Sequence, residues 1–233
     1  MTLTIRKSND RGHQNHGWLD SYHTFSFADY SDPEHMGFRS LRVINQDVIA
    51  KGMGFGTHPH RDMEIFSVIV SGAIAHKDSM GNERVLRPGE IQLMSAGTGV
   101  THSEFNPSED EELHLLQIWI EPNQRSLTPS YTEWKPNAQT ESASDVVVIS
   151  PDGRDGSAVI HSDAIVRRLR LADGESVAHD VADGRAMWLQ VISGDARIGD
   201  EQLGPGDGAS TETAGKQTIR ANGAVEALLF DLA

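Results

Sequence analysis

Apolar and polar residues alternate with a period of two along most of the chain, which is the pattern of half-buried β-strands. The apolar runs are short and rich in β-branched residues, and Gly, Pro, Asn or Asp closes most of them. No long, well-capped amphipathic helix stands out. We predict strands at 41–49, 63–72, 89–97, 113–122, 144–150, 164–171, 186–198 and 225–232. The sequence therefore predicts an all-β fold with at most short helical turns.

An internal repeat divides the chain into two similar halves. The stretch IVSGAI at 69–74 returns as VISGDA at 191–196, and the turn RPGEI at 87–91 returns as GPGDG at 204–208. Each half therefore has a strand ending in Ser-Gly, an intervening hairpin, a Pro-Gly-acid turn and a late apolar strand. Repetition of this kind indicates two β-domains of similar design rather than one barrel.

We place the first domain at 1–134 and the second at 135–233, joined within the polar stretch 135–144. The halves differ where chemistry would lie. A His-x-His motif precedes the Ser-Gly strand of the first half, whereas the second half has one histidine there. We therefore predict that the first domain carries the functional site and that the second lacks metal ligands.

Composition narrows the classes of function. The chain has 233 residues and no cysteine, which excludes disulfides, zinc-thiolate sites, iron–sulfur clusters and cysteine nucleophiles. The net charge of −14 repels phosphate backbones and anionic lipids, so we expect no direct nucleic-acid or membrane binding. The N-terminal residues form no apolar signal segment, and no window approaches the length of a membrane span. We expect the protein in the cytoplasm.

Two short motifs carry candidate chemistry. His58 and His60 are two residues apart, as are His102 and Glu104, so each pair shares one face of a strand. If the two strands are adjacent and line a barrel, three imidazoles and a carboxylate converge on one point. Glu64 keeps the same parity as His60 if no bulge intervenes. A lone His-x-His motif more often consists of two surface histidines that bind no metal, but the second motif on another strand favours a metal site.

Such a set of three nitrogens and one oxygen suits Fe(II), Mn(II), Ni(II), Cu(II) or Zn(II), and geometry would have to choose among them. Four protein ligands on an octahedral ion leave two positions for water, substrate or O2. The residues therefore predict an open, reactive site rather than a closed structural one.

The same residues resemble a known family. The pattern G-x5-H-x-H-x3-E matches the first cupin motif and G-x2-H-x3-N matches the end of the second, at Gly52, His58, His60 and Glu64, and at Gly99, His102 and Asn106. The stretch RGHQNHGWLDSYHTFSFADYSDPEHMGF at 11–38, followed by FGTHPHRDMEI, DSMGN, MSAGTGVTHSE and LQIWI, resembles the pirin family, whose members are bicupins.

This resemblance implies two antiparallel, jelly-roll-like cupin barrels packed together, with metal ligands at His58, His60, His102 and Glu104. It also implies one divalent transition metal ion, with Fe(II) favoured and Mn, Ni, Cu, Co or Zn as alternatives. Several relatives are quercetin 2,3-dioxygenases, so the expected substrates are a flavonol-type aromatic and O2. Glu104, or alternatively Glu64, is then the candidate general base for the substrate hydroxyl.

Two departures from generic cupins affect the expected site. Both Glu64 and Glu104 are present, and we choose Glu104 as the ligand because the pirin pattern carries it. Gly97 replaces the proline of the second cupin motif, so we expect an adaptable loop beside the metal. His76 and His114 lie in probable strands and are left unassigned. Segment 11–38 is interpreted as an arm covering the barrel mouth, with His23 or Phe38 as candidates to line the pocket.

Two other functions remain open from the sequence. One is a metal- or redox-sensing regulatory protein that acts through protein partners, as some pirin relatives do. The other is a cupin isomerase or epimerase, which often needs no metal. We expect a monomer, because two fused halves reproduce the pairing that single-domain cupins obtain by dimerising.

Overall fold

The alternating segments form β-strands throughout the computed structural model, which describes residues 2–233. The strands before residue 137 are β1 (Thr4–Arg6), β2 (Gly12–Asn15), β3 (Leu19–His23), β4 (Leu41–Ile49), β5 (Gly54–His60), β6 (Glu64–Ser71), β7 (Ile74–Asp78), β8 (Glu83–Leu86), β9 (Ile91–Ser95), β10 (Val100–Phe105), β11 (Leu113–Ile120) and β12 (Ser130–Trp134). The later strands are β13 (Asp145–Ser150), β14 (Ala158–Val159), β15 (Ala164–Leu171), β16 (Ser176–Val181), β17 (Ala186–Ile198), β18 (Glu201–Leu203), β19 (Gly208–Thr211) and β20 (Gly215–Leu232).

Helical structure within residues 2–233 is limited to one short α-helix, α1 (Ala138–Ser142), and two 3₁₀ turns, Ser8–Asp10 and Arg154–Gly156. The prediction of an all-β fold is therefore confirmed. The predicted strands 41–49, 164–171 and 186–198 coincide with β4, β15 and β17. No helix in this part of the chain has the length and apolar character needed to cross a bilayer.

The chain divides into two compact units. The N-terminal unit comprises Gly12–Pro136 and Ala158–Ser162, and the C-terminal unit comprises the first residues up to Arg11, Asn137–Ser157 and Asp163–Ala233. The sequence placed a single boundary between the domains. In the structure, the residues up to Arg11 belong to the C-terminal unit, and Ala158–Ser162 belongs to the N-terminal unit. Neither segment carries a distinctive motif that would reveal this from the sequence.

Two antiparallel sheets build the N-terminal unit. The larger has the order β12-β9-β6-β11-β4-β3-β2, and the smaller has the order β5-β10-β7-β8. Both sheets are open at their edges, so the predicted barrel exists in cupin-like form rather than as a closed cylinder. Apolar side chains such as Ile74, Leu86 and Leu115 fill one end of the space within the unit.

The C-terminal unit has a sheet in the order β1-β19-β17-β20-β15-β13, with β16 beside β20 and β18 beside β17. Its core is a continuous cluster of aliphatic residues that includes Leu169, Met187, Leu189 and Leu229. The Ser-Gly repeat seen in the sequence corresponds to two glycines, one in each unit, that pack closely against the backbone of a neighbouring segment. An added Cβ would lie 2.7 Å from a backbone carbonyl oxygen at Gly72 and 1.9 Å from one at Gly194, and both glycines have positive φ.

The loop between β9 and β10 differs from the sequence-based expectation. Gly97 has a φ of 43°, and a Cβ there would lie 2.0 Å from the carbonyl oxygen of Leu127. The amide of Asp62 donates to the Gly97 carbonyl, and the amide of Thr98 donates to the Leu127 carbonyl. The glycine therefore permits close backbone packing, and the loop is anchored where an adaptable one was expected.

Candidate metal centre

Three imidazoles meet between β5 and β10, which are neighbours in the smaller sheet. His58 lies opposite His102 in the strand register, and His60 follows His58 on the same face of β5. The Nε2 atom of His102 lies 2.9 Å from Nε2 of His60 and 3.1 Å from Nε2 of His58. The structure thus brings the three predicted histidines together, and we call them the imidazole cluster.

The protonation of these rings follows from one hydrogen bond and from burial. The Nδ1–H of His58 donates to the Gly56 carbonyl oxygen over 2.8 Å, so its Nε2 carries the lone pair. Burial, together with the neighbouring imidazoles, lowers the pKa of His60 to about 4 and that of His102 to about 2. Both rings are therefore neutral at neutral pH, which is the form that binds a metal ion.

The spacing of the cluster fits a transition metal ion. Nitrogens bound at about 2.1 Å and at right angles to one another lie about 3.0 Å apart. The two Nε2 separations, 2.9 and 3.1 Å, are close to that value. A backbone carbonyl that accepts the opposite N–H, as for His58, is also the usual way to orient a ligating imidazole. The donor set is therefore suitable for a divalent ion.

Glu104 lies beside the cluster and inside the protein. It shares a face of β10 with His102, is 1% exposed, and its Oε2 lies 4.0 Å from His102 Nε2. Gln117 Nε2 donates to Oε2 over 2.9 Å, and Gln92 Nε2 donates to Oε1 over 3.1 Å. Burial raises the pKa of Glu104 to about 7, the Asp47 carboxylate acts in the same direction, and hydrogen bonds from Gln117 and Ser67 oppose the rise. The carboxyl group can therefore exchange a proton near neutral pH.

A second group of possible ligands adjoins the first. His76, His102 and Glu104 also present donor atoms within 4.8 Å of one another. Gln92 Nε2 donates to His76 Nδ1 over 3.1 Å, and His76 Nε2–H donates to Asp78 Oδ2 over 3.2 Å. This chain of hydrogen bonds connects Asp78 to Glu104 and restricts the orientation of the Glu104 carboxylate.

Glu64 lies away from the cluster, contrary to the parity argument from the sequence. Three residues between β5 and β6 break the alternation, and Asp62 among them has a φ of 49°. β6 also belongs to the larger sheet rather than the smaller one. Ser95 Oγ donates to Glu64 Oε1 over 2.6 Å, and the His161 amide donates to Oε2 over 3.2 Å. The buried Glu64 therefore joins β6 to β9 and to the segment at His161 by hydrogen bonds.

A row of polar side chains crosses the larger sheet opposite Glu104. Each member is paired with the next across adjacent strands, in the order His23, Asn45, Gln117, Ser67 and Gln92. His23 Nδ1 contacts Asn45 Oδ1 at 2.8 Å, and Ser67 Oγ donates to Gln117 Oε1 over 2.9 Å. We call these five residues the polar row. It supplies two of the amide donors that hold Glu104.

A cavity of about 280 Å³ opens beside the cluster. His58, His60 and Glu104 line it, together with aromatic rings that include Phe27 and Trp119. The Trp119 ring lies edge-on to His60, with centroids 4.9 Å apart. A cavity with apolar aromatic walls and a few polar groups is suited to a small aromatic molecule.

The N-terminal segment contributes more than a cover. Part of it forms β2 and β3 of the larger sheet. His23 lines the cavity, as the sequence suggested, while Phe27 rather than Phe38 is among the lining residues.

Several residues of the site were not identified from the sequence. His76 pairs directly with Glu104 across β7 and β10, and Gln92 and Gln117 hold the carboxylate. For His76, the sequence offered one indication, the alternation along β7. Ile74, His76 and Asp78 are buried on one face of this strand, and the residues between them are not. The glutamines carried no signal, because their role depends on strand register across the whole sheet.

Two protein-family models match the chain. A family model described as Pirin matches residues 4–120, and one described as Quercetinase C-terminal cupin domain matches 147–232. The chain is 49% identical over 230 residues to the quercetin 2,3-dioxygenase of Escherichia coli K12, covering 99% of this chain and 98% of that protein. It is 37% identical to a pirin-like protein of Caulobacter vibrioides, covering 98% of this chain and 99% of that protein.

Among solved structures, the bacterial pirin YhhW of Escherichia coli in complex with nickel(II) superposes with a TM-score of 0.95. It is 47% identical in sequence, and the match covers 99% of each chain. The ion in that relative is a divalent transition metal of the class that the imidazole cluster fits.

Proposed function

The chain belongs to the pirin family, and from that premise we propose that it is a metal-dependent dioxygenase that cleaves a flavonol-type aromatic. The activity would be that of a quercetin 2,3-dioxygenase. The observation that carries the proposal is the meeting of the Nε2 atoms of His58, His60 and His102 beside an aromatic-walled cavity. The name of the Escherichia coli relative supports the choice of substrate.

We assign the metal site to the imidazole cluster together with Glu104, the four residues selected from the sequence. The ion bound there would serve as a Lewis acid for the substrate's enolate oxygen and would bring O2 to the same place. The nickel(II) complex of the relative supports a divalent transition metal. Fe(II), which the sequence favoured, stays a prediction. Glu104 is assigned to the set because its Oε2 lies 4.0 Å from His102 Nε2 on the same strand face.

Glu104 is also the group that would accept the proton of the substrate's 3-hydroxyl. Its pKa, raised to about 7 by burial, matches the requirement for a base that works near neutral pH. Gln92 and Gln117 hold its two oxygens, so the carboxylate is oriented before substrate arrives. The overall reaction oxidises the flavonol and reduces O2: both oxygen atoms enter the ring-opened product, and one ring carbon leaves as carbon monoxide.

The aromatic walls would orient the substrate. Trp119 packs edge-on against both His60 and Phe27, with centroids 4.9 and 5.4 Å apart. A flat ring lying against these faces would present its hydroxyl toward the imidazole cluster and Glu104. Positioning of this kind lowers the entropic cost of bringing the reacting groups together.

One experiment tests the proposal directly. The protein is stripped of metal with a chelator, reconstituted with single divalent metals, and mixed with quercetin in air while absorbance and carbon monoxide are followed. We expect turnover with at least one metal, and carbon monoxide in proportion to the quercetin lost. Stoichiometric metal binding without turnover for any metal would refute the dioxygenase and favour the regulatory alternative. A His114→Ala variant, altered on β11 outside the site, should behave as the unaltered protein does.

A further inference from the structure

A second buried carboxyl group lines the cavity at a position that the proposed chemistry does not use. Asp47 lies on β4, shares a face with Asn45 of the polar row, and is 3% exposed. Residues two apart on a strand are separated by about 7 Å, so Asp47 lies one step along the sheet from the row that holds Glu104. Its side chain is among those that line the cavity.

The surroundings of Asp47 leave its carboxyl group short of partners. Ser21 lies directly opposite on β3, and its hydroxyl donates to Asp47 Oδ1. On the other side, β11 places the buried Leu115 opposite Asp47. Within residues 2–233, the Ser21 hydroxyl is the one side-chain group that donates a hydrogen bond to the Asp47 carboxyl group. Burial raises the pKa of Asp47 to about 7, with Ser21 opposing the rise.

A buried carboxyl group with a single partner is costly, and the cost falls when a ligand supplies a second hydrogen bond. The molecule that could supply it is one in the cavity, since Asp47 and Ser21 both line that space. A carboxyl oxygen accepts a hydrogen bond from a hydroxyl group in either protonation state, and the Ser21 oxygen can accept another. A phenolic hydroxyl is therefore a suitable partner.

We propose that Asp47 and Ser21 form a specificity site that binds a ring hydroxyl of the substrate, apart from the enol that meets the metal centre. The inference rests on the proposed function and narrows its substrate class to polyhydroxylated aromatics. Such a site would discriminate between ligands that carry the ring hydroxyl and ligands that lack it. A buried polar site rejects an analogue that lacks the hydroxyl, because its own groups are then left unpaired.

The test is equilibrium binding under argon, followed by quenching of tryptophan fluorescence, since Trp119 lines the cavity. The two probes are quercetin and 3-hydroxyflavone, which keeps the enol and lacks the other hydroxyls. We expect Asp47→Ala to weaken quercetin binding about tenfold and 3-hydroxyflavone binding less than about twofold. Asp47→Asn, which keeps an acceptor oxygen, should restore part of the affinity. Ser21→Ala should produce a smaller loss in the same direction.

Asp20→Ala is the matched control, because it removes a carboxylate from the half-exposed outer face of the adjacent strand β3. It should change neither affinity. Equal losses for both probes in Asp47→Ala and Ser21→Ala, or no loss for either, would overturn the specificity site. Because oxygen is absent, failure of turnover in air would refute the dioxygenase while leaving this binding difference intact. Thermal unfolding of each variant establishes that it is folded.

Discussion

The Nε2 atoms of His60 and His102 lie 2.9 Å apart, although the two residues are not opposite each other in the sheet. His102 pairs with His58 in the register, and His60 pairs with Val100. The contact thus depends on both side chains leaning to one point, and its length matches the separation of two nitrogens bound at right angles to one transition metal ion.

His102 is the nitrogen common to both short contacts, so its removal should be the most damaging single change. We expect His102→Ala to lose more than about 100-fold in affinity for a divalent transition metal, measured by calorimetric titration of the chelator-treated protein. His114→Ala is the control, since it removes an imidazole that hydrogen-bonds Gln46 outside the site. Equal metal affinity in both variants would exclude the imidazole cluster as the metal site.

Replacement of Glu104 separates metal binding from proton transfer. Glu104→Gln keeps the shape and loses both the charge and the basic oxygen. Because three imidazoles remain, we expect metal affinity to fall only about tenfold, whereas turnover of quercetin at saturating metal falls by about 100-fold or more. The measurements are the same titration and the steady-state rate.

The control for this change is Glu64→Gln, a buried glutamate of the same unit that bonds Ser95 instead of facing the cluster. It should retain metal affinity and the rate per bound metal, although its stability will fall. If Glu64→Gln abolished turnover and Glu104→Gln did not, the assignment of the two glutamates would be reversed.

The fold was largely predictable because strand periodicity is a local property. β4, β15 and β17 were located to the residue by alternation and β-branched composition. The predicted strand 225–232 was too short, since β20 begins at Gly215. The added part carries charged and polar residues on its exposed face, and its pairing with β16 is a long-range interaction that the local pattern does not reveal.

The site was predictable only in part, for a related reason. Two residues on one strand share a face whatever the fold, which is why His58 and His60 could be paired from the sequence. The position of Glu64 required that alternation continue through Asp62, and the positive φ there ended it. Gln92 and Gln117 reach Glu104, and Asp47 reaches the cavity, through register between distant strands, which spacing along the chain does not encode.

Backbone packing at Gly97 gives a stability prediction. Alanine there adds the strain of a positive φ and a Cβ 2.0 Å from the Leu127 oxygen. We expect Gly97→Ala to lower the free energy of unfolding by about 3 kcal/mol or more. Gly17 has a φ of 83° with no atom within 4 Å of an added Cβ, so Gly17→Ala isolates the strain and should cost about 1 kcal/mol. Equal losses in urea denaturation would refute the packing argument.

Asp47 gives the last prediction, which concerns the pH dependence of stability. Burial raises its pKa to about 7 in the folded protein, against about 3.9 in an unfolded chain. Below about pH 4 the group is protonated in both the folded and the unfolded state, so it does not make the free energy of unfolding depend on pH. Between pH 4 and 7 the folded state holds more protons than the unfolded state, so the free energy of unfolding falls as pH rises. Above pH 7 the loss is complete.

Asp47→Asn removes this titration and should therefore become more stable than the unaltered protein as pH rises from 5 to 8. The difference should reach at most about 4 kcal/mol, the value of a three-unit pKa shift. Urea denaturation in the presence of chelator measures it without a contribution from bound metal. Asp20→Asn, on the half-exposed face of β3, controls for the loss of one carboxylate. Stability curves for Asp47→Asn and the unaltered protein that stay parallel across this range would show that the Asp47 carboxyl group is already ionised at pH 5, and that its burial carries no such cost.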